Sequence, residues 1–506
     1  MSLTNNIAKN TAIQVAGKIA GTVLALITAG VIFRYLGDTG VGQYTKVLAF
    51  LQLFAIMMDF GFYIILIKKL AHLDLDKLDD PIVHNIFTLR IVSGVIFLSL
   101  APLSAWIISL YNNAYDLTIV AGIAIATLFY FCISLNQLLS AIFQRAMKTS
   151  WIALGEFIGK IALLVFVILF VYFDFGLWWV LFAHVISSVT NFLIQFLATR
   201  SYVKLKLVFN WPLWKQILKE AWPIAVSIGF ALIYFKGDTI ILSFYEPNNV
   251  VGWYGAPYKI LEVLVTFPAM FVGLVLPLLN AAWQKKDLEK FKNVLQKALD
   301  ALTVVAMPLV GGTLALAPMI IRILAGSEFQ NSNNVLRILI IAVGAIYLGT
   351  LLSYVVVSLN KQKSMMWGYA FVAISSLLGY FIFIPSYSIF GAAWVTVYSE
   401  IAVAIIALVI ILRTTKIHLS GKVFIKSITA SAVMFFFLMI GVALLQDIYP
   451  ATHLLEQVDT ASTRLDFSLL SLVVFVPFGA VVYFFILWIL QGINQEDLRQ
   501  MFKLKK

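Results

Sequence analysis

The sequence lacks most of the features of a soluble enzyme. It contains one cysteine, five histidines and only 12% charged residues. A single cysteine excludes a disulfide framework, and Cys132 is interpreted as a small buried apolar residue. The sequence also has no Walker-type glycine-rich loop, no metal-binding His/Glu spacing and no G-x-S-x-G motif. It therefore predicts neither an enzyme nor a bound cofactor or metal.

Hydrophobic residues, by contrast, make up 62% of the 506 residues, and the mean hydropathy is +0.96. Apolar runs recur along the chain, each long enough as a helix to cross a hydrocarbon core of roughly 30 Å. The sequence therefore predicts an all-α polytopic membrane protein with about fourteen spans. The predicted spans cover about 11–33, 42–67, 86–110, 117–141, 151–173, 177–198, 221–245, 250–280, 298–323, 335–358, 364–385, 389–412, 424–446 and 467–490.

Basic residues are distributed unevenly among the loops between these spans. One set of alternate loops is rich in lysine, as in 285–297, whereas the other set holds Arg34 and Arg464. Because basic loops stay cytoplasmic, both termini are predicted to be cytoplasmic in a multi-pass cell-membrane protein. The net charge of +12 then matches an anionic lipid leaflet and requires no nucleic acid. The segment 211–220 is predicted to be an interfacial helix.

Two pairs of short segments indicate an internal repeat. Residues 36–50, LGDTGVGQYTKVLAF, align with 246–261, EPNNVVGWYGAPYKIL, at an offset of about 210. Residues 175–180, FGLWWV, align with 390–395, FGAAWV, at an offset of about 215. Two matches at nearly the same offset indicate duplication of a six-span unit.

Six spans return the chain to the same side of the membrane, so the repeats are predicted to be parallel lobes related by an axis along the membrane normal. The predicted organisation is an N-terminal lobe over 1–200, a cytoplasmic interfacial linker helix over 201–220 and a C-terminal lobe over 221–413. Two additional spans and a cytoplasmic tail occupy 414–506. Alternating access by rocking of the lobes is the expected mode of transport in such proteins.

Several charged residues fall inside or at the ends of the predicted spans, where lipid exposure costs about 2.5–3.5 kcal/mol per charge. They are predicted either to line a hydrated cavity or to pair with one another. The basic candidates for a cationic substrate-binding cavity are Lys18, Arg34, Lys46, Lys236 and Lys259. The acidic candidates for ion coupling or pairing are Asp59, Glu156, Asp238, Glu262 and Glu400.

Spacing along the helices leaves some of these alternatives open. Glu262 follows Lys259 by three residues, and Lys160 follows Glu156 by four, so each couple can form an ion pair or face a cavity. Residues two apart, such as Lys236 and Asp238, point about 200° apart on a helix and are expected to have different neighbours. His184 is interpreted either as a proton relay or as a hydrogen-bonded packing residue.

Two of these segments resemble a known family. Residues 236–264, KGDTIILSFYEPNNVVGWYGAPYKILEVL, and 33–51, FRYLGDTGVGQYTKVLAFL, are similar to signature segments of polysaccharide flippases. These flippases belong to the multidrug/oligosaccharidyl-lipid/polysaccharide exporter superfamily. In the lipid II branch of that superfamily a cavity arginine occupies the position that resembles Lys18, where lysine keeps the charge but loses bidentate phosphate geometry.

The resemblance implies a flippase that moves a polyprenyl-diphosphate-linked oligosaccharide to the outer leaflet for O-antigen, capsule or exopolysaccharide assembly. It implies membrane lipids and a polysaccharide polymerase or glycosyltransferases as partners, and Na⁺ or H⁺ as candidate coupling ions. The alternatives are a lipid II flippase, a cation-coupled multidrug antiporter of the same fold, and a scaffold that recruits glycosyltransferases through basic loops such as 284–297.

Overall fold

The chain is helical throughout the part that the computed structural model describes, which is residues 3–71, 79–112, 114–448 and 461–492. No strand occurs within these ranges. The helices are α1 Leu3–Asp59, α2 Phe62–Leu70, α3 Pro81–Ser109, α4 Leu117–Arg145, α5 Ser150–Tyr172, α6 Leu177–Thr199, α7 Trp211–Tyr245, α8 Asn248–Leu264, α9 Thr266–Gln284, α10 Leu288–Ala325, α11 Ser332–Ser358, α12 Gln362–Thr415, α13 Lys422–Ile448 and α14 Ala461–Ile489.

The predicted all-α membrane fold is confirmed, but the count of fourteen spans is not. Eleven helices in the described ranges are long and apolar enough to cross a membrane, or twelve if the bent α7 is counted as one span. The difference from fourteen lies in α1 and α12, which each cover two predicted spans. Each consists of two helices that meet at a kink, at Gly37 (φ 65°, ψ −178°) in α1 and at Ser388 (φ 53°, ψ −134°) in α12.

The helices form two compact units. The first comprises Met1–Gly255 with Tyr380–Ile389, and the second comprises Ala256–Gly379 with Phe390–Lys506. Within the first unit α1 packs against α3, α4 and α5, while α6 packs against α4 and α5. Within the second unit α10 packs against α9, α11, α13 and α14. The lobe boundaries expected from the repeat stay a prediction.

The last two helices are anchored on α10 by a close approach. Gly311 lies directly against Ser431 of α13, and the Ser431 hydroxyl donates to the carbonyl of Met307 at 2.6 Å. A buried cluster that includes Leu438 and Tyr483 fills the space between α10, α13 and α14. The two C-terminal helices predicted to lie outside the repeat therefore share an apolar core with the second unit.

The predicted interfacial segment is the beginning of α7 rather than a separate helix. Asn210 caps it, since its side chain accepts from the amide of Leu213 at 3.2 Å. Trp214 is buried, whereas Trp211 and Trp222 are exposed, as in an amphipathic helix. The helix continues past residue 220 to Phe230, bends by 62°, and resumes at Phe235 just before the residues at 236–238.

The two segments aligned by the repeat pack against each other within the first unit. A methyl group at Gly42 would overlap the carbonyl oxygen of Asn248, and a methyl group at Gly252 would overlap the carbonyl oxygen of Asp38. Gly42 corresponds to Gly252 and Asp38 corresponds to Asn248 at the same offset of about 210, so the contact is reciprocal. The indole nitrogen of Trp253 also donates to the Asp38 carboxylate at 3.1 Å. We call these residues the glycine interlock.

The second pair of aligned segments also occupies equivalent positions. Gly176, with φ 81°, lies within residues 175–180 and immediately precedes α6, and the break at Ser388 lies two residues before the start of 390–395. Each FGxxWV segment therefore begins a helical stretch directly after a change in chain direction. This placement agrees with the duplication that the sequence indicates.

Substitution of either glycine of the interlock is expected to destabilise the protein. Gly42→Ala and Gly252→Ala place a methyl group against fixed backbone, and overpacking of this kind costs about 1–3 kcal/mol. Gly273→Ala is the control, because no atom lies within contact distance of the added methyl group at that exposed position of α9. Thermal unfolding in detergent should show a lower transition temperature for the first two variants alone. An equal effect of all three would contradict the close approach.

Candidate functional site

The most completely buried acid of the chain's predicted set is Asp238. Its carboxylate accepts a hydrogen bond from the Tyr254 hydroxyl at 2.6 Å and another from the Thr239 hydroxyl at 3.1 Å. Asp238 itself is 0% exposed. Such charge-assisted bonds offset the cost of removing a carboxylate from water. α7 and α8 are thus joined by a polar contact at this point.

Lys236, one half-turn earlier on α7, is also buried. Its ammonium nitrogen lies 5.7 Å from the centroid of the Phe235 ring, within range of a cation–π contact. Asp238 faces Tyr254, whereas Lys236 lies against an aromatic ring. The expectation that these two charges have different neighbours stays a prediction.

Lys46 makes a structural contact at the end of α7. Its ammonium group donates to the carbonyl of Glu246 at 2.9 Å and to the carbonyl of Ala114 at 3.1 Å, and the side chain is fully buried. Glu246 caps the C-terminus of α7, where exposed carbonyls favour a positive charge. The Lys46 ammonium nitrogen also lies 6.0 Å from the centroid of the Tyr115 ring. This geometry favours a structural role for Lys46 over the predicted substrate contact.

Asp59 forms an ion pair with Arg90 of α3. Arg90 is 1% exposed and also donates to Gln137 at 3.1 Å and to the carbonyl of Ser134 at 3.3 Å. The pair lies beside a break in the chain at Phe60 and Gly61, which have φ values of 45° and 78°. The buried guanidinium therefore connects α1, α3 and α4 next to a backbone conformation that is unfavourable for phenylalanine.

The candidates in the second unit are Lys259, Glu262 and Glu400. Lys259 and Glu262 form an ion pair at 3.1 Å. Both side chains are about one-third exposed. Glu400 lies on α12 and is 6% exposed, so it is buried in the interior of this unit.

Three candidates of the first unit lie on accessible surface. Lys18 and Arg34 are exposed on α1, and Glu156 is exposed on α5. Close to Lys18, the ammonium end of the Lys160 side chain lies against Gly21 of α1. Two basic side chains therefore lie near the α1–α5 contact, one exposed and one half-buried.

His184 adopts the packing role that its sequence position left open. Its Nε2 atom is hydrogen-bonded to the Tyr44 hydroxyl at 2.8 Å, and Phe129 contacts the imidazole ring edge-on. Tyr44 corresponds to Tyr254 in the repeat. The tyrosines at equivalent positions of the two repeats therefore each contact one polar group: Tyr44 contacts His184, and Tyr254 contacts Asp238.

Several partners of the predicted residues were not identified from sequence. The Tyr254 hydroxyl that binds Asp238 lies sixteen residues away on the next helix, and Tyr115 lies on the turn before α4. The repeat singled out Tyr254 as a matched position, which was the one available signal. Among the described residues no group of three or more His, Cys, Asp or Glu side chains is arranged to hold a metal ion.

The tyrosines related by the repeat allow a matched comparison. Tyr254→Phe removes a hydroxyl donor from a fully buried carboxylate and is expected to cost about 2–3 kcal/mol. Tyr44→Phe removes the same hydroxyl from a partly buried imidazole and is expected to cost about 1 kcal/mol. The check is the thermal unfolding of both purified variants in one detergent. A larger loss for Tyr44→Phe would contradict an ionised Asp238 that depends on Tyr254.

A family model described as "Polysaccharide biosynthesis protein" matches residues 7–283, which is more than half of the chain. A Shigella flexneri protein named as an O-antigen transporter is 24% identical over 404 residues, covering 77% of this chain and 93% of that protein. A Shigella dysenteriae protein of the same name is 25% identical over 195 residues, covering 38% of this chain and 48% of that protein.

Solved structures share the fold at low sequence identity. The lipid II flippase MurJ in an inward closed conformation is 15% identical, with a TM-score of 0.74 over 96% of this chain and 99% of MurJ. An inward-facing multidrug resistance MATE family transporter of the MOP superfamily is 16% identical, with a TM-score of 0.62 over 80% of this chain and 97% of that transporter. The chain is thus a multi-pass membrane protein with this transporter fold, and it belongs to the polysaccharide biosynthesis protein family.

Proposed function

We propose that this chain is a flippase that carries a polyprenyl-diphosphate-linked oligosaccharide from the cytoplasmic to the outer leaflet for O-antigen-type polysaccharide assembly. The observation that supports this function most strongly is the family match over residues 7–283, together with an O-antigen transporter that aligns over 77% of the chain. The protein is a transporter and not an enzyme. The basic loops support an orientation with both termini in the cytoplasm of a bacterial inner membrane.

The three parts of the substrate have different chemical requirements. A diphosphate requires cationic groups, the sugars require hydrogen-bonding groups, and the polyprenyl chain can remain in lipid. Lys18 and Arg34 are exposed and Lys236 is close to an aromatic ring, so we propose these three as the diphosphate-binding groups. Lys46 and Lys259 are assigned to packing and pairing, because their ammonium groups contact carbonyls and Glu262 respectively.

Transport by alternating access requires contacts between the repeats to open and close. In the first unit such contacts connect residues of the first repeat to the α7–α8 junction of the second. They are the glycine interlock, the Lys46 bond to the Glu246 carbonyl, and a bond of 2.8 Å between the Tyr115 and Ser243 hydroxyls. We propose that this set closes one end of the transport path and separates once in each cycle.

Coupling to Na⁺ or H⁺ would require an available carboxylate. Asp59 and Glu262 are bonded to Arg90 and Lys259, and Asp238 accepts from Tyr254, so we propose the exposed Glu156 as the coupling group. A polysaccharide polymerase or glycosyltransferases are the proposed protein partners, because they produce or consume the same lipid-linked chain.

The second candidate function is translocation of lipid II. The fold of MurJ, which extends over 96% of this chain, favours it over the multidrug antiporter, whose fold match covers 80%. Both candidates share the diphosphate and the polyprenyl chain and differ in the sugar. The choice between them is therefore made by the head group that the protein accepts.

A reconstituted transport assay tests the function directly. Proteoliposomes with a fluorescent polyprenyl-diphosphate oligosaccharide should show translocation, and Lys18→Gln and Lys236→Gln should each reduce its rate about tenfold or more, as expected for loss of a charge-assisted bond. The control is Lys148→Gln, an exposed loop lysine after α4.

Preference for lipid II over the oligosaccharide lipid would support the second candidate. Export of cationic dyes without lipid translocation would contradict both. A rate that does not change with pH or sodium would eliminate ion coupling but leave the flippase function intact.

Crosslinking tests the proposed closure. In a Cys132→Ala background, Asp38→Cys with Trp253→Cys, joined by a short bifunctional thiol reagent, is expected to stop transport until the linker is cleaved. The matched control is Tyr35→Cys with Asp174→Cys, since the Tyr35 hydroxyl bonds Asp174 at 2.8 Å and both residues belong to the first repeat. Normal transport by the crosslinked Asp38/Trp253 pair would show that this contact does not need to open.

A further inference from the structure

A basic pocket lies at the C-terminal end of α6, away from the candidate residues described above. It is lined by Phe196, Thr199, Arg200, Val203, Lys204 and Leu205 and has a volume of about 290 Å³. We propose that this pocket binds the phosphate of an anionic phospholipid, which would be a resident lipid rather than the transported substrate. The inference rests on the membrane fold and the basic loops and is independent of the cargo.

The charges of the pocket are suited to a phosphodiester. Among the described residues that line it, Arg200 and Lys204 are cations and none is an acid. The Arg200 guanidinium lies 5.2 Å from the centroid of the Phe196 ring, an arrangement that restricts its orientation. A planar guanidinium held on an aromatic face and a neighbouring ammonium provide several donors for one phosphate group.

The walls of the pocket are fixed by buried contacts. Thr199 and Val203 are 1% and 2% exposed, and the Thr199 hydroxyl donates to the carbonyl of Gln195 at 2.8 Å. The segment after α6 is tied to α3, because the amide of Val208 donates to the Thr88 hydroxyl at 3.0 Å. The two cations are therefore carried by a backbone that is anchored on both sides of the pocket.

The surface of α6 leads from hydrocarbon to these cations. Leu193 and Leu197 are 49% and 56% exposed, and they lie seven and three residues before Arg200. At 3.6 residues per turn, positions 193, 197 and 200 share one helix face, and hydrogen bonds to Thr199 continue the turn as far as Val203. A phospholipid whose acyl chain lies on the two leucines would place its phosphate beside Arg200.

Exposed aromatic residues that follow the pocket in sequence indicate that the pocket lies at the membrane boundary. Phe209 and Trp211 are 68% and 59% exposed and stack with their ring centroids 6.4 Å apart. Aromatic side chains of this kind lie at head-group depth. With the basic loops on the cytoplasmic side, as proposed above, the pocket opens to the leaflet in which anionic lipids attract Lys and Arg.

Native mass spectrometry of the full chain, titrated with phosphatidylglycerol in mixed micelles, tests this site. The variant Arg200→Gln with Lys204→Gln is expected to bind phosphatidylglycerol about tenfold more weakly, because two charge-assisted contacts are lost. The control Lys215→Gln with Lys219→Gln removes the same charge from exposed positions of α7 outside the pocket and should bind normally. Phe196→Leu keeps both charges but releases Arg200, so binding should weaken to an intermediate level.

Three competing probes identify the ligand. In a competition experiment with isotopically labelled phosphatidylglycerol bound to the protein, unlabelled phosphatidylglycerol should displace the labelled lipid. Phosphatidylcholine and inorganic diphosphate should not displace it. Equal weakening in the pocket and control variants would show unspecific attraction and overturn the proposal. Displacement by inorganic diphosphate, or tighter binding of a polyprenyl diphosphate than of phosphatidylglycerol, would assign the pocket to the substrate and overturn the proposal of a resident lipid.

Discussion

The cost of placing a charge in hydrocarbon governs the interior of this protein. Water is absent from the membrane core, so each buried charge requires a partner supplied by the chain. Asp238 has a tyrosine hydroxyl, Asp59 has a guanidinium, and Lys46 has the carbonyls at the end of α7. These partners belong to other helices or to the turns between them. The same interactions that neutralise the charges therefore also determine which helices lie side by side.

Neutralisation also divides the predicted charges into two groups. Lys46, Asp59 and the Lys259–Glu262 pair are bonded to groups of the protein itself. The side chains of Lys18 and Arg34 are exposed. A charge that is fully engaged in packing contributes little to the recognition of a substrate, whereas an accessible charge can exchange water for phosphate. The proposed diphosphate site takes its exposed members, Lys18 and Arg34, from this comparison and adds the buried Lys236.

The fold was predictable from sequence to a large extent, and the site only in part. Hydropathy gave the all-helical membrane architecture because lipid leaves few other solutions, and the repeat indicated the paired segments. The kinks at Gly37 and Ser388 were not predictable, because hydropathy locates the spans but does not determine the backbone conformation of the residue that joins them. Partners such as Tyr254 depend on packing between helices, which spacing along one helix does not contain. The ion pair between Lys259 and Glu262 could be anticipated from sequence as one alternative, because both residues share one helix face.

The reciprocal packing of Gly42 and Gly252 has a consequence for the history of the chain. Each glycine faces the backbone of the other copy, so a larger side chain in one copy has no neighbouring side chain that could shrink to accommodate it. Elsewhere in the duplicated halves a change in one residue can be compensated by a change in its neighbour, and the copies are free to drift apart. At the interlock they are not. This constraint explains why residues 36–50 and 246–261 are still similar enough in sequence to reveal the duplication.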